Sequence, residues 1–354
     1  MAKTADYGLG PYTFPRGWFM IADATALESG RTVPLRFFGR DFVLYRGKDS
    51  GKPVLLDAYC PHTGAHLARS RGGDDTDRVV GDTIRCPLHG WRFGADGQCM
   101  HIPNVEAADI PSSARVKSWR VTEGMGAIFV WHDPAGGEPD YPVPHLGEWD
   151  DPSWVRWKFD DCGILNSHPV EVVDNIVDHA HQAPIHGQAV TYFEVEFDGH
   201  HAKQREGGNS RTALSEDGAL LTIDATYHGP AILLTAMGGQ YPSYFLIAHT
   251  PVDDGAVQVW HATLVKSQNA VATADDAAMA RAFQAASLAA FMQDFEVWSA
   301  KRPAVEIMRI PADGPYGQNR KWYRQFYVPR EEGARLAESV RGTYGVPGVP
   351  RAPA

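Results

Sequence analysis

The stretch "AYCPHTGAHLARS", residues 58–70, sets Cys60 and His62 one residue apart, and "CPLHGW", residues 86–91, sets Cys86 three residues before His89. The 354-residue chain has only 4 cysteines, too few for a disulfide framework, and two of them stand beside histidines. Two thiols with two imidazoles form a metal-ligand set. Zinc sites of mixed type more often present a cysteine pair and then a histidine pair. Structural zinc, and two packed thiols beside surface histidines, remain alternatives.

Interleaving one Cys with one His in each loop suits a [2Fe–2S] centre of Rieske type. One iron takes Cys60 and Cys86, the other His62 and His89. Neutral imidazoles in place of two thiolates raise the reduction potential and make such a cluster an electron relay. Gly64 and Gly90 follow the two pairs, and the expectation is that they bring backbone N–H groups close to the cluster sulfurs.

Composition narrows the class. At 354 residues the chain is long enough for two domains. With 35 Gly and 25 Pro it favours short strands and loops over long helices. A net charge of −10 without a Lys/Arg block argues against nucleic acid. The N-terminus shows no signal-peptide pattern and no run is apolar enough to span a bilayer, so a cytoplasmic location without membrane insertion is expected.

From about Trp18 to Trp131, alternating apolar segments such as "RTVPLRFFGRDFVLYRG" and "ARVKSWRVTEGMGAIFVW" read as short antiparallel strands with both Cys/His pairs at loop tips. The Pro-rich passage 132–153 is a domain boundary by composition. "NSHPVEVVDNIVDHAHQAPIHG" then starts as an amphipathic helix through Val170, Val173, Ile176 and Val177, which Pro184 should end or kink. Residues 190–266 return to strand texture. "TADDAAMARAFQAASLAAFMQDFEVWSAK", 273–301, is the best helix, with Thr273 before two Asp and no Pro or Gly inside. The tail beyond 330 looks loosely packed.

The second constellation is Asp178-x-x-His181-x₄-His186. On a helix, Asp178 and His181 would share a face, and the break at Pro184 could return His186 to the same metal. His179, in the same segment, is read as a bystander. A carboxylate must come from elsewhere. Asp294 shares a strip of the long helix with Phe291 and Trp298, and a lone Asp among aromatics needs a partner or a metal. Glu296 is the second choice. Two imidazoles and one carboxylate on one face of Fe(II) leave the other face open for O₂ and substrate.

"CPHTGAHL", "CPLHGWRFGADGQCMHIP" and "PRGW" at 15–18 resemble Rieske non-haem iron ring-hydroxylating oxygenases, and "QDFEVW", "RKWYRQFYV" and "YPSYF" resemble the ketosteroid 9α-hydroxylase oxygenase group. The resemblance spans about residues 15–330. It implies an α+β chain, with an all-β Rieske domain at 15–133 and a helix-grip catalytic domain of central antiparallel sheet at 134–354 with 1–14. It makes Cys99 a packed thiol, His181, His186 and Asp294 the iron ligands, and Asp178 the carboxylate linking His181 to a cluster histidine, His89, of the neighbouring subunit in a head-to-tail homotrimer. It implies electrons from NAD(P)H through a separate reductase or ferredoxin, and O₂-dependent hydroxylation of a bulky hydrophobic, steroid-like molecule. Dihydroxylation, demethylation, desaturation, or electron transfer without oxygenase activity are the alternatives. The gap between the two pairs is longer than usual in the family, and "GGDDTDRV", 72–79, is expected to project as an acidic loop. Small and apolar residues between 219 and 265 (Leu220, Leu221, Ala231, Ile232, Leu233, Leu234, Met237, Phe245, Ile247) suit the wall of a large apolar cavity, with ordinary sheet packing the alternative that sequence does not separate from it.

Overall fold

The computed structural model describes residues 1–69, 78–209, 220–239 and 242–353. The chain divides into two compact units, one of Met20–Trp131 and one of Met1–Phe19 with His132–Ala354.

The smaller unit is built of short antiparallel strands. Thr32–Phe37, Arg40–Arg46, Pro53–Asp57 and Ser118–Trp119 make one sheet, and Val79–Val80, Thr83–Arg85, Arg92–Phe93 and Cys99–His101 another. Alternation along Arg40–Arg46 and Pro53–Asp57 sends Val43, Tyr45, Val54 and Leu56 inward, where they meet Ile84, Phe93 and the Cys60, Cys86 and Cys99 thiols. Cys99 is thus a core thiol. Of the expected acidic loop, Arg78 and Val79 are buried, with Arg78 donating to the Leu67 carbonyl at 2.8 Å. Residues 72–77 of it lie outside the described residues.

The larger unit centres on a nine-stranded antiparallel sheet. Five long strands, Ala189–Asp198, His201–Asn209, Leu220–His228, Ile232–Gly238 and Ser243–Asp253, follow one another as a meander, and Ala256–Lys266 closes it. Asp160–Leu165 pairs with Ala256–Lys266, setting Asp160 opposite His261. The helix Ala274–Ala300 packs on this end of the sheet. Thr273 and Asp276 close a reciprocal capping box at its start. Its buried residues Asp276, Ala280, Ser287, Phe291 and Asp294, spaced by four, seven, four and three, form one inward face.

Two expectations need correction. The helix through Val170 and Val173 does not run to Pro184. It spans Pro169–Val173, tightens to a 3₁₀ turn at Asp174–Val177 and ends at Asp178, whose φ of −96° and ψ of 82° leave the helical region. Asp178 and His181 therefore share no helical face. A new short helix, Gln182–His186, holds Pro184 in its first turn, where the missing N–H costs nothing, and the left-handed Gly187 (φ 66°) ends it. The tail is also not loose. Arg330–Val340 is a helix, and Gly342–Gly345 adds a strand beside Ala189–Asp198.

Candidate functional site

The two Cys/His loops fold alike. The N–H of Cys60 donates to the Ala65 carbonyl at 2.9 Å and that of Gly64 to the Cys60 carbonyl at 2.9 Å. In the second loop Cys86 N–H donates to Trp91 at 2.7 Å and Gly90 N–H to Cys86 at 3.1 Å. The glycine N–H groups themselves close these turns on the cysteine carbonyls. The glycines are needed for left-handed backbone, at φ 79° and 74°. The N–H of His62 is the one aimed at the Cys60 sulfur.

Cys60 and Cys86 are buried and their thiols hydrogen-bond to each other. Burial, chiefly, pushes the Cys60 thiol up to about 11, opposed by the His62 N–H and reinforced by Cys86. Two dry, adjacent thiols ionise together only with a cation between them. His62 and His89 sit exposed with ring centres 4.6 Å apart, and Trp91 stacks on His62 at 4.5 Å. A buried thiol pair beneath an exposed imidazole pair fits a cluster bound by thiolates on one iron and imidazoles on the other.

In the larger unit the structure brings His181, His186 and Asp294 together, their ligand atoms all within 4.8 Å of one another. Asp294 Oδ2 lies 3.2 Å from His186 Nε2, and Oδ1 lies 3.9 Å from His181 Nε2. The tautomers follow from the outer partners. His181 Nδ1 faces the backbone carbonyl of Asp178, which only accepts, so Nδ1 carries the proton. His186 Nδ1 likewise donates to Gln293 Oε1 at 3.2 Å. Both Nε2 atoms then turn lone pairs toward a carboxylate that is 9% exposed. Acceptors converging on acceptors in a dry site call for a cation, and two imidazoles with one carboxylate suit non-haem Fe(II). Without an ion a proton fills that gap on His186: burial lowers this imidazole, but its hydrogen bond to Asp294 and the charge of that carboxylate outweigh burial and raise it.

Glu296 is exposed and stands apart from the histidines. His179 packs its ring on Phe193 at 5.3 Å, and burial lowers its pKa. The Asp178 carboxylate lies 3.7 Å from His181 Nδ1, and Tyr316 hydrogen-bonds it.

A cavity of about 840 Å³, its mouth included, opens onto the His181–His186–Asp294 face. Its walls follow strand parity. Leu221, Ile223 and Ala225, Leu233, Thr235 and Met237, and Phe245 and Ile247 point in from three adjacent strands. Ile232 and Leu234, expected in the wall, are buried on the other side of the same sheet, and Ala231 precedes it. The side chain of Leu220 lies outside the described residues. Several functional neighbours were missed by sequence reasoning. Gln188 and Gln204 line the cavity and donate to the two oxygens of buried Glu206 at 2.8 and 2.7 Å, and burial pushes that carboxyl up to about 8. His261 and Ser287 also line it. Inward Gln204 and Glu206 at period two were the available signal.

Among the described residues no helix is long and apolar enough to cross a membrane. Residues 17–120 match the Rieske [2Fe-2S] domain family, and residues 130–327 match the 3-ketosteroid 9alpha-hydroxylase C-terminal domain family. The oxygenase component of a 3-ketosteroid-9-alpha-monooxygenase from Rhodococcus rhodochrous is 34% identical over 343 residues, covering 93% of this chain and 88% of that one. Cholesterol 7-desaturase nvd 1 of Ciona intestinalis is 40% identical over 180 residues, 50% of this chain and 35% of its own. Among solved structures, Pseudomonas putida CBB5 NdmA with caffeine superposes with a TM-score of 0.70 at 18% identity, covering 92% of this chain and 94% of that one. Dicamba monooxygenase bound to dicamba gives 0.70 at 19% identity, over 93% and 99%. The fold is theirs. With both halves matched, the chain belongs to the Rieske non-haem iron oxygenases that carry the ketosteroid 9α-hydroxylase C-terminal domain, and is the oxygenase component of such a system, with a [2Fe–2S] cluster and a mononuclear iron.

Proposed function

We propose that the chain hydroxylates a steroid at an unactivated C–H bond, taking electrons that originate in NAD(P)H from a separate reductase. The carrying observation is the apolar cavity set directly on the His181–His186–Asp294 face. The names of the relatives at about a third identity supply the steroid. In this reading Cys60, His62, Cys86 and His89 hold the cluster, within a Rieske domain of residues 15–133, and His181, His186 and Asp294 hold the iron. When bound, the two centres supply one-electron storage and activation of O₂. The chain's own residues do the rest. Asp178 and Gln293 fix the imidazole tautomers, and the aliphatic wall excludes water and holds the substrate carbon against the open face. The balance is one C–H bond, O₂, two electrons and two protons, giving one C–OH and water.

The exposed His62 and His89 favour assembly in which each cluster serves a neighbour, in a head-to-tail trimer, with Asp178 reaching His89 of the partner subunit. The reducing cytoplasm suits the thiols. The test is turnover of a steroid panel with a surrogate reductase. A product gaining one oxygen supports the reading. A product losing two hydrogens supports desaturation, the reading that the match to a cholesterol desaturase favours. Turnover of aromatic acids but of no steroid overturns both.

A further inference from the structure

We propose that the amide N–H groups of Gln204 and Gln188 receive the carbonyl oxygen of a ketone-bearing substrate, and that Glu206 behind them holds both amides in place. The inference rests on the cavity being the substrate site and on a steroid occupying it.

The apolar wall is one face of the sheet, carried by three adjacent strands, and the next strand along is His201–Asn209. There Gln204 stands opposite Ala225 and Glu206 opposite Ile223, both on the cavity face. The hydrocarbon wall thus ends in an amide and a carboxyl. Gln188 arrives from the other side, two residues past His186 and just beyond the left-handed Gly187. Its backbone N–H donates to the Gln182 carbonyl at 3.0 Å and fixes where its side chain starts. Both glutamines are buried and line the cavity, and Glu206, with no exposed surface, sits behind them. At the opposite end of the wall the polar groups are already partnered. His261 Nε2 lies 2.9 Å from Ser287 Oγ, and its Nδ1 lies 3.0 Å from Asp160 Oδ2.

One carboxyl orients the two amides. Gln188 Nε2 donates to Glu206 Oε1 at 2.8 Å, and Gln204 Nε2 donates to Glu206 Oε2 at 2.7 Å. An amide nitrogen carries two hydrogens, so each glutamine that gives one to Glu206 keeps one in hand. Burial pushes the Glu206 carboxyl up to about 8, against the Gln204 hydrogen bond and the charge of His186, so both of its forms are within reach near neutral pH. Neither form removes the donors. When Glu206 is ionised, each amide has one N–H to spare. When it is protonated, its O–H takes the carbonyl of one amide, and that amide swings both N–H groups away. A ketone oxygen brought from water against hydrocarbon loses its hydrogen bonds, and a spare amide N–H restores one. A CH₂ group at that point leaves the N–H unpaired instead. Gln204 and Gln188 would touch substrate. Glu206 is a positioning residue, screened from the substrate by the neutral amides in front of it.

The test is equilibrium binding to the holoenzyme, with iron content checked in every variant. Two matched pairs are used, one of steroids and one of saturated bicyclic compounds, each a ketone and its analogue with CH₂ in place of C=O. Each pair gives a ratio of ketone to CH₂ affinity, in which the shared apolar contacts cancel. Gln204→Met, which keeps the length of the side chain without its polar atoms, should lower the ratio about tenfold, the scale of one hydrogen bond. Gln188→Met should lower it too, and decides the matter if the first variant fails to fold. A ratio unchanged in both variants overturns the anchor, and so does an equal loss for both members of a pair in variants that keep their iron. A lowered ratio on the bicyclic pair with no steroid binding supports the anchor and overturns the steroid reading. Steroid binding with an unchanged ratio overturns the anchor alone, and no binding of any compound overturns both.

Discussion

Asp294 and Glu296 stand two residues apart on one helix, yet only Asp294 faces the two imidazoles, and Glu296 is exposed. Asp294→Asn should lose the mononuclear iron and all turnover, while Glu296→Gln keeps both, read by metal analysis. Asp178→Asn is predicted to retain iron and cluster but to drop turnover by at least about a hundredfold, since the tautomer of His181 is held by the Asp178 backbone and survives the change. Full steady-state activity in that variant would remove Asp178 from the electron path. Asp294 was legible because its stripe with Phe291 is local, one helix read at period 3.6. The Asp160–His261–Ser287 chain was not. It joins residues 101 and 26 positions apart, and depends on a strand register that no local pattern states.

At the level of elements, the glycine turns and the helix cap carry measurable stability. Gly64 is left-handed at φ 79°, and a Cβ there would meet nothing within 4 Å. Gly64→Ala should therefore cost only the torsional penalty, about 1 kcal/mol, measured by denaturant unfolding. Thr273→Ala removes the hydroxyl that accepts the Asp276 N–H and should cost about 1 kcal/mol. The long helix and the strand-rich segments could be read because caps and alternation are local. The break at Asp178 could not. Proline looks like a terminator wherever it falls, but at Pro184 it sits in a first turn, and what ends the preceding helix is a backbone turn at a residue with no breaking chemistry of its own. The tail misled for a similar reason. Its Gly-rich strand is paid for by pairing with Ala189–Asp198, a partner roughly 150 residues away in sequence.

For the whole molecule, the proposed trimer raises the question of which copy's cluster feeds which iron. If electrons pass between neighbours in a ring, a cluster-dead subunit and an iron-dead subunit are complementary. Co-assembled Cys86→Ala and His181→Ala chains should recover activity at about a quarter of the junctions, by random pairing in a closed ring, although each variant alone is inactive. No recovery in the mixed assembly would mean that electrons do not cross between copies. Size measurement in solution gives the stoichiometry independently.

The parity of the cavity wall has a consequence for how this enzyme can diversify. On three adjacent strands the odd-numbered residues line the cavity, while on two of them even-numbered neighbours, Ile232, Leu234 and Leu246, are buried. New selectivity can thus be explored at Leu221, Ile223, Leu233, Met237, Phe245 or Ile247 without reopening the packing behind them. Insertion of one residue within a strand would exchange the two sets at once, turning core into wall and wall into core. Point substitution is the route open to evolution here, and strand-length change is closed.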